Sequence, residues 1–242
     1  MSGLPDGEEV VPPLTLGNSL REVVALPKLL VNPLRPPLSL GQVGNGRPVL
    51  VIPGLLTGDL STTFLRRSLK AAGFDAHGWG QGLNTGASPK KLRAIQERLA
   101  RLHRRNGQKV TVIGWSLGGL YARLLAQRMP GEVELCVTIA SPFSGDRRAN
   151  RAWRLYELIN DHTVDKPPFP EDPAINPTVP TIAIWSAVDG VVSPESTRGG
   201  ANESDYRIRV DGQHFALGSS KRCVKRIINI LAEHLSGGQS AS

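Results

Sequence analysis

A serine enclosed by glycines stands in the stretch VTVIGWSLGGLYAR, residues 110–123. The chain passes here from a β-branched apolar run into a helix-forming segment, and Ser116 lies at the junction between Gly114 and Gly118. A nucleophile at such a turn adopts a strained backbone conformation that exposes its hydroxyl above the sheet. Side chains two positions before and after it would collide with backbone, and the helix N-terminus favours developing negative charge. The G-x-S-x-G pattern therefore predicts Ser116 as a catalytic nucleophile.

Two other roles fit the same residues. Ser116 is also a suitable capping residue for the helix that follows it. Gly114, Ser116 and Gly119 occupy the three positions of the dinucleotide-binding pattern G-x-G-x-x-G, although a serine places a side chain where backbone must approach the pyrophosphate. The partners of Ser116 decide between these roles.

A serine hydroxyl needs a base, which is usually a histidine held by a carboxylate. His214, in VDGQHFALGSS, follows the last strand candidate and precedes the C-terminal helix, where the base belongs if the chain order is serine, acid, histidine. None of the other histidines follows a late strand: His103 and His234 lie on predicted helices, His162 in a long insertion, and His77 at the end of the second strand candidate. We predict His214 as the base and His77 as a candidate cleft residue.

The acid is expected between the serine and the histidine, beyond the end of a strand. Asp189 follows the strand candidate 180–187 and precedes Gly190, so its carboxylate is placed to reach the imidazole. A plain Asp-Gly turn is the alternative role for this residue. Asp211, three residues before His214, is the second candidate, and an acid within the long insertion is a third.

The oxyanion of an acyl-transfer reaction needs two backbone donors. The N–H of Leu117, which follows the nucleophile, is predicted as one of them. The loop after the first strand, in VLVIPGLLTGD, supplies the other: Gly54 allows close approach of the backbone, and Leu55 is the predicted donor.

Strand and helix candidates alternate from residue 48 onward. The strand candidates are PVLVIP (48–53), FDAHGW (74–79), KVTVIGW (109–115), VELCVTIA (133–140), PTIAIWSA (180–187) and YRIRV (206–210). Helices are expected at about 60–72, 89–105, 117–129 and 220–235. This alternation predicts an α/β fold with a mostly parallel central sheet and helices on both faces.

The chain is expected to form one domain over residues 17–242, preceded by a flexible arm at 1–16. From Asn18 to Leu30 apolar residues recur at helix-like spacing, which predicts either a helix packed on the domain or a segment lying on lipid or beside the substrate entrance. We favour packing, with residues 20–30 as a candidate peripheral membrane contact.

A long insertion, at about 143–178, interrupts the alternation and would cover the C-terminal edge of the sheet as a cap or lid. Its apolar residues are candidates for an acyl pocket, although they would equally serve to pack the insertion on the domain. These residues are Phe143, Trp153, Leu155, Leu158, Ile159 and Phe169.

Composition excludes several classes of function. The formal net charge is +8, but the basic residues do not form one tract and only 5% of residues are aromatic, so no nucleic-acid partner is expected. Cys136 and Cys223 lie in apolar segments without metal-type spacing, which predicts two buried thiols in a reducing compartment. The polar, acidic N-terminus is unlike a secretory signal, and no apolar run is long enough to span a membrane. We therefore expect a cytoplasmic protein.

The ordered set of motifs resembles the α/β-hydrolase superfamily, and in particular a group of bacterial esterase- or lipase-like hydrolases. The similarity covers about residues 20 to 235 and is carried by VLVIPGLLTGDLST, GFDAHGWGQGLNTG, VIGWSLGGLYAR, TIASPF, SAVDGVV and GQHFALG. It implies the triad Ser116, Asp189 and His214, with Leu55 and Leu117 as oxyanion donors. The family often has a small residue and glycine after the histidine, where this chain has Phe215 and Ala216. Phe215 and Trp115 join His77 as candidate cleft residues.

The expected activity is hydrolysis of carboxylic esters, including lipid esters, through an acyl-enzyme on Ser116, without metal or organic cofactor. An acyltransferase or a thioesterase would use the same triad. A non-catalytic, membrane-associated scaffold is the remaining alternative.

Overall fold

A six-stranded, all-parallel sheet forms the centre of the molecule. The computed structural model describes residues 34–150 and 152–237, together with residues 13, 15, 17–19 and 22. The strand order is β2-β1-β3-β4-β5-β6. The strands are β1 (Pro48–Ile52), β2 (Asp75–Gly78), β3 (Val110–Trp115), β4 (Val133–Ile139), β5 (Thr181–Trp185) and β6 (Tyr206–Arg209).

Helices lie between successive strands and after the last strand. They are α1 (Thr63–Ala71), α2 (Pro89–Asn106), α3 (Leu117–Arg128), α4 (Trp153–Ile159), α5 (Pro194–Arg198), α6 (His214–Leu217) and α7 (Lys221–Gly237). The ends of α2 follow from its sequence: the Ser88 side chain accepts from the Lys91 N–H, Pro89 begins the helix, and Gly107 ends it with a φ of 63°.

Side chains alternate between the two faces along each strand, and the inner strands β1, β3, β4 and β5 bury them on both faces, whereas those of the edge strand β6 remain partly or fully exposed. Val49 and Val51 of β1 face a core closed by α1 and α7, whereas Leu50 and Ile52 face a second core closed by α2 and α3. A parallel sheet covered in this way brings the carboxyl ends of its strands to one edge, where open α/β sheets bind ligands.

The predicted strands and the four predicted helices are confirmed, with ends that differ by up to three residues. The insertion contains the short helix α4, as the sequence RRANRAWRLYELIN predicts, and the structure adds the short helices α5 and α6. The predicted arm and the candidate membrane contact at 20–30 lie outside the described residues, except Pro13, Thr15 and Glu22. In the described part of the chain, no helix combines the length and apolar character needed to cross a bilayer.

Arg123 of α3 fastens the insertion to the domain. Its buried guanidinium donates to the carbonyls of residues 173–175, to the Glu203 carbonyl at 2.6 Å and to Ser204 Oγ at 3.2 Å. It also lies 4.2 Å from the centre of the Phe143 ring. Burial lowers the pKa of Arg123, and the five acceptors compensate for the lost hydration. The helix that carries the nucleophile candidate therefore also anchors the segment above it.

Both cysteines are buried free thiols, as predicted. Burial raises the pKa of Cys136 to about 12 and also raises the pKa of Cys223, so neither forms the reactive thiolate near neutral pH. We expect no reaction of the native protein with 5,5′-dithiobis(2-nitrobenzoate) over minutes, and two reactive thiols after unfolding in guanidinium chloride. Rapid modification of the native protein would contradict this packing.

Candidate active site

Ser116 lies at a strained turn between β3 and α3. Its φ of 53° and ψ of −124° are unusual for a residue other than glycine, and such strain costs about 1–3 kcal/mol. Ser116 holds the N-cap position of α3, but its side chain makes no capping hydrogen bond. The helix-cap alternative therefore does not explain the serine, and the hydroxyl is left for another use.

The glycines around Ser116 are required by close backbone contacts. A Cβ at Gly114 would overlap the backbone of Gly118 and Gly119, and a Cβ at Gly118 would overlap the carbonyl oxygen of Ile52. Each glycine thus lets two backbone segments meet beside the serine. The collisions expected from the sequence at these two positions are present in the structure.

Asp189 and His214 form a buried pair. The Asp189 side chain is 0% exposed, that of His214 is 3% exposed, and His214 Nδ1 lies 2.8 Å from Asp189 Oδ2. The other oxygen, Asp189 Oδ1, accepts from the backbone N–H groups of Val191 at 2.8 Å and Val192 at 2.9 Å. Because these bonds fix the carboxylate, the imidazole presents Nε2 in a defined direction.

The protonation of His214 is set by opposing effects. Burial lowers its pKa, but the negative charge of Asp189, the hydrogen bond to Asp189 and the charge of Glu22 together outweigh burial, so the pKa is raised above 6.5. Asp211, the second candidate acid, instead binds Arg209 with 2.8 Å between Nε and Oδ1. The structure brings Asp189, not Asp211, to the histidine.

The third side chain of the predicted triad is not hydrogen-bonded to this pair in the described part of the chain. Among the described contacts, Ser116 Oγ makes no hydrogen bond to His214. The ring of Trp115, the residue before the serine, lies 6.3 Å from the His214 ring, centre to centre. Catalytic hydrogen bonds are often long without substrate and tighten in the substrate complex.

The two predicted oxyanion donors border the serine. Leu55 and Leu117 line the same cavity as Ser116, and within the described part of the chain neither backbone N–H donates a hydrogen bond. Gly54 makes the approach possible: a Cβ there would lie 3.2 Å from Ser116 Cβ. Two unpaired donors are thus held beside a free hydroxyl.

The loop that carries Leu55 is held by Asn84, which the sequence reasoning missed. The buried Asn84 side chain donates to the Pro53 carbonyl at 2.8 Å. Its backbone accepts from Leu56 at 2.7 Å and donates to Thr57 at 2.8 Å. Leu56 has a φ of 53°, so this loop is kept in a conformation that it would not adopt alone.

Replacing Asn84 with alanine is expected to lower kcat about 100-fold, because a donor displaced by about 1 Å no longer matches the transition state. It leaves the Pro53 carbonyl unpaired, which costs about 1–3 kcal/mol of unfolding free energy. Ester hydrolysis and denaturant unfolding measure both effects. Asn106→Ala, which removes a local helix contact to Leu102, is the matched control. An Asn84→Ala variant with unchanged kcat per folded molecule would contradict this role.

A cavity of about 370 Å³ opens beside the serine. Its walls come from α3 and the insertion and are mostly apolar: Leu120, Tyr121, Leu124, Phe143, Tyr156, Val164, Pro167 and Phe169. Two of the predicted pocket residues, Phe143 and Phe169, therefore line it. Leu158 and Ile159 are exposed instead, and the Trp153 ring lies beside Arg148 and Arg154.

The candidate cleft residues lie elsewhere than predicted. Trp115 is buried in the core, because alternation along β3 points it away from the face of Gly114. His77 lies on the edge strand β2, where its Nε2 is 2.8 Å from Asp75 Oδ1 and 3.1 Å from an Arg105 nitrogen. Phe215 packs edge-on against the His214 ring, with ring centres 5.4 Å apart. None of the three lines the cavity formed by the described residues.

Comparison with known proteins identifies structures that share this fold. No protein-family model matches the chain, and no curated protein matches it by sequence. Solved structures do match. The thermostable carboxylesterase EstE1 from a metagenomic library is 14% identical, with a TM-score of 0.60 over 93% of this chain and 98% of EstE1.

Two further matches have different activities. The RedJ thioesterase of the prodiginine pathway in Streptomyces coelicolor is 15% identical, with a TM-score of 0.56 over 82% of this chain and 96% of its own. The monoacylglycerol lipase of Paleococcus ferrophilus is 15% identical, with a TM-score of 0.52 over 78% of this chain and 96% of its own. At this level of identity the likeness concerns the fold. With its parallel sheet, its strained turn at Ser116 and the helices between its strands, the chain has the α/β-hydrolase fold.

Proposed function

We propose that the protein is a serine hydrolase that cleaves carboxylic esters. The observation that carries this proposal is the position of Ser116. Its hydroxyl makes no capping hydrogen bond to α3. It borders a mostly apolar cavity together with the unpaired N–H groups of Leu55 and Leu117. A free hydroxyl beside two unpaired donors is what acyl transfer requires.

The proposed reaction begins when Ser116 Oγ attacks the ester carbonyl carbon and His214 Nε2 accepts the hydroxyl proton. The carbonyl oxygen becomes an oxyanion, which the N–H groups of Leu55 and Leu117 stabilise. His214 then donates the proton to the leaving alcohol, and an acyl-enzyme remains. A water molecule, deprotonated by His214, releases the acid and restores Ser116.

Asp189 supports both proton transfers. Its Oδ2 accepts from Nδ1–H of His214, which leaves Nε2 unprotonated and able to act as a base. When the ring becomes positively charged, the buried carboxylate stabilises it. The raised pKa of His214 reflects this stabilisation of the charged form.

The cavity favours an apolar acyl group of limited length. Its volume of about 370 Å³ lies at the lower end of the range of about 300–1,000 Å³ for small-molecule sites. Aromatic and aliphatic side chains of α3 and the insertion make up most of its lining, and the charged residues among the lining are Arg147, Glu171, Asp172 and Glu203. We therefore expect short or medium acyl chains to be preferred over long ones.

A thioesterase is the second candidate, because the same site would attack a thioester and thioesterases share this fold. The distinction depends on the leaving group rather than on the acyl pocket. Acyl esters and acyl-N-acetylcysteamine thioesters with the same acyl chain would compare the two leaving groups directly.

Hydrolysis of p-nitrophenyl esters with acyl chains of two to sixteen carbons tests the proposal. We expect activity that peaks among the shorter chains and is lost in Ser116→Ala. A folded protein that is inactive on both esters and thioesters would overturn the proposal and favour a non-catalytic scaffold.

A further inference from the structure

Glu22 is a buried carboxylate that the proposed reaction does not use. It is 3% exposed and lies in a helical part of the N-terminal segment, outside the α/β core. Its Oε1 accepts from the N–H groups of Gly190 at 3.1 Å and His214 at 2.5 Å, and its Oε2 accepts from Phe215 at 3.2 Å. A carboxylate that accepts three backbone hydrogen bonds is firmly held.

The three donors belong to the two loops that carry the acid and the base. Gly190 directly follows Asp189, and the other two donors are His214 itself and the residue after it. One side chain therefore connects the loop after β5 to the loop after β6. Because the partners are 168 and 192 residues away, this link is a tertiary contact and not a local cap.

The rest of the described N-terminal segment strengthens the same link. Ser19 Oγ donates to the Gly190 carbonyl at 2.6 Å. Gly190 is needed for this contact, because a Cβ there would overlap the carbonyl oxygen of Asn18 and approach Glu22 Cγ. The backbone of Gly190, the residue after Asp189, is thus held through both its N–H and its C=O.

Glu22 also acts on the base through its charge. Burial raises the pKa of Glu22, while the three hydrogen bonds and the charged form of His214 oppose that increase. The negative charge of Glu22 in turn raises the pKa of His214, in addition to the effect of Asp189. Two other titratable groups flank Gly212: Asp211, which is paired with Arg209, and the buried thiol of Cys223 on α7. Glu22 and Asp189 are the carboxylates that act on the imidazole among the described residues.

We propose that Glu22 is a positioning residue. It fixes the loops of Asp189 and His214 relative to each other and makes the N-terminal segment part of the catalytic machinery. This inference rests on the proposed hydrolase function. The contacts of Glu22 are to the backbone of the loops that carry the acid and the base, so it acts on the base and not on the substrate.

The test compares Glu22→Gln and Glu22→Asp with the wild type. Glutamine keeps the size of the side chain, but it removes the charge and turns an N–H donor toward the Phe215 N–H. We expect kcat for a short p-nitrophenyl ester to fall about tenfold with KM within about twofold, since only the base is displaced. We also expect the acid limb of the pH dependence of kcat/KM to move down by about 0.5–1 pH unit, because a negative charge near His214 is lost.

Glu22→Asp keeps the charge and shortens the reach. It should restore the acid limb most of the way to its wild-type position while kcat stays reduced. Glu233→Gln, a change on the exposed face of α7, is the matched control and should leave both quantities unchanged. Active-site titration with a fluorophosphonate normalises every rate to the folded, reactive fraction.

The outcomes separate this inference from the proposed function. An active wild type with an unchanged pH profile and kcat in Glu22→Gln would overturn the positioning role alone. Failure of both variants to fold would also overturn it, because Glu22 would then be a determinant of folding. An inactive wild type that no fluorophosphonate labels would overturn the hydrolase proposal itself.

Discussion

Replacing Ser116 with alanine is expected to lower kcat for ester hydrolysis by about 10⁴- to 10⁶-fold. The variant keeps the backbone, the cavity and the unpaired N–H groups, but no atom remains to form the acyl-enzyme. The residual rate would come from binding and from oxyanion stabilisation of direct attack by water. Initial rates on a short p-nitrophenyl ester at high enzyme concentration measure the loss.

Two further variants test whether the loss of activity is specific to the Ser116 hydroxyl. Ser116→Gly should be equally inactive but more stable than Ser116→Ala by about 1 kcal/mol, because glycine adopts a φ of 53° with less strain. Ser68→Ala removes a buried hydroxyl in α1 that accepts from the Leu38 N–H, and it should leave kcat unchanged. A Ser116→Ala variant that retained more than a small fraction of the wild-type rate would show that another nucleophile acts.

Replacing Asp189 with asparagine is expected to lower kcat about 10⁴-fold at neutral pH. Val191 and Val192 donate to one oxygen of the carboxylate, so an asparagine would keep its carbonyl there and turn its NH₂ toward His214. The ring would then accept at Nδ1 and carry its proton on Nε2, where it cannot act as a base. The pair therefore sets the tautomer as well as the charge of the imidazole.

The same substitution changes the pH dependence in a defined direction. In the wild type the pKa of His214 is raised, so kcat/KM should fall as the pH decreases through a value above 6.5. Removing the Asp189 charge lowers that pKa, so the acid limb of Asp189→Asn should lie at lower pH than that of the wild type. An acid limb that stayed in place would mean that the titrating group is not paired with Asp189.

The elements of this fold could be predicted because their signals are local. Short β-branched runs are buried on both faces in a parallel sheet, and α2 begins at Ser88-Pro89 and ends at Gly107, as its sequence indicates. The site was predicted from residues that follow strands, because the carboxyl ends of parallel strands meet at one edge. Chain order then distinguished Asp189 and His214 from the other acids and histidines.

The supporting residues could not be predicted, because their roles depend on distant partners. Glu22 lies in a segment whose sequence is rich in apolar residues, and nothing near it in the sequence indicates that it accepts from His214, 192 residues away. Asn84 lies in a loop of ordinary composition, and its partners are on another loop. The misplaced cleft residues have a related cause: His77 also ends a strand candidate, but β2 is an edge strand and its side chain pairs with Asp75.

Covalent labelling of the serine would identify the nucleophile. The native protein would be treated with a fluorophosphonate, digested with trypsin and sequenced by tandem mass spectrometry. The expected tryptic peptide, VTVIGWSLGGLYAR, runs from Val110 to Arg123 and contains one serine. We expect a phosphonyl adduct on Ser116 that is absent from Ser116→Ala and from unfolded protein. A folded, unlabelled wild type, or an adduct on a different residue, would contradict the assignment of Ser116 as the nucleophile.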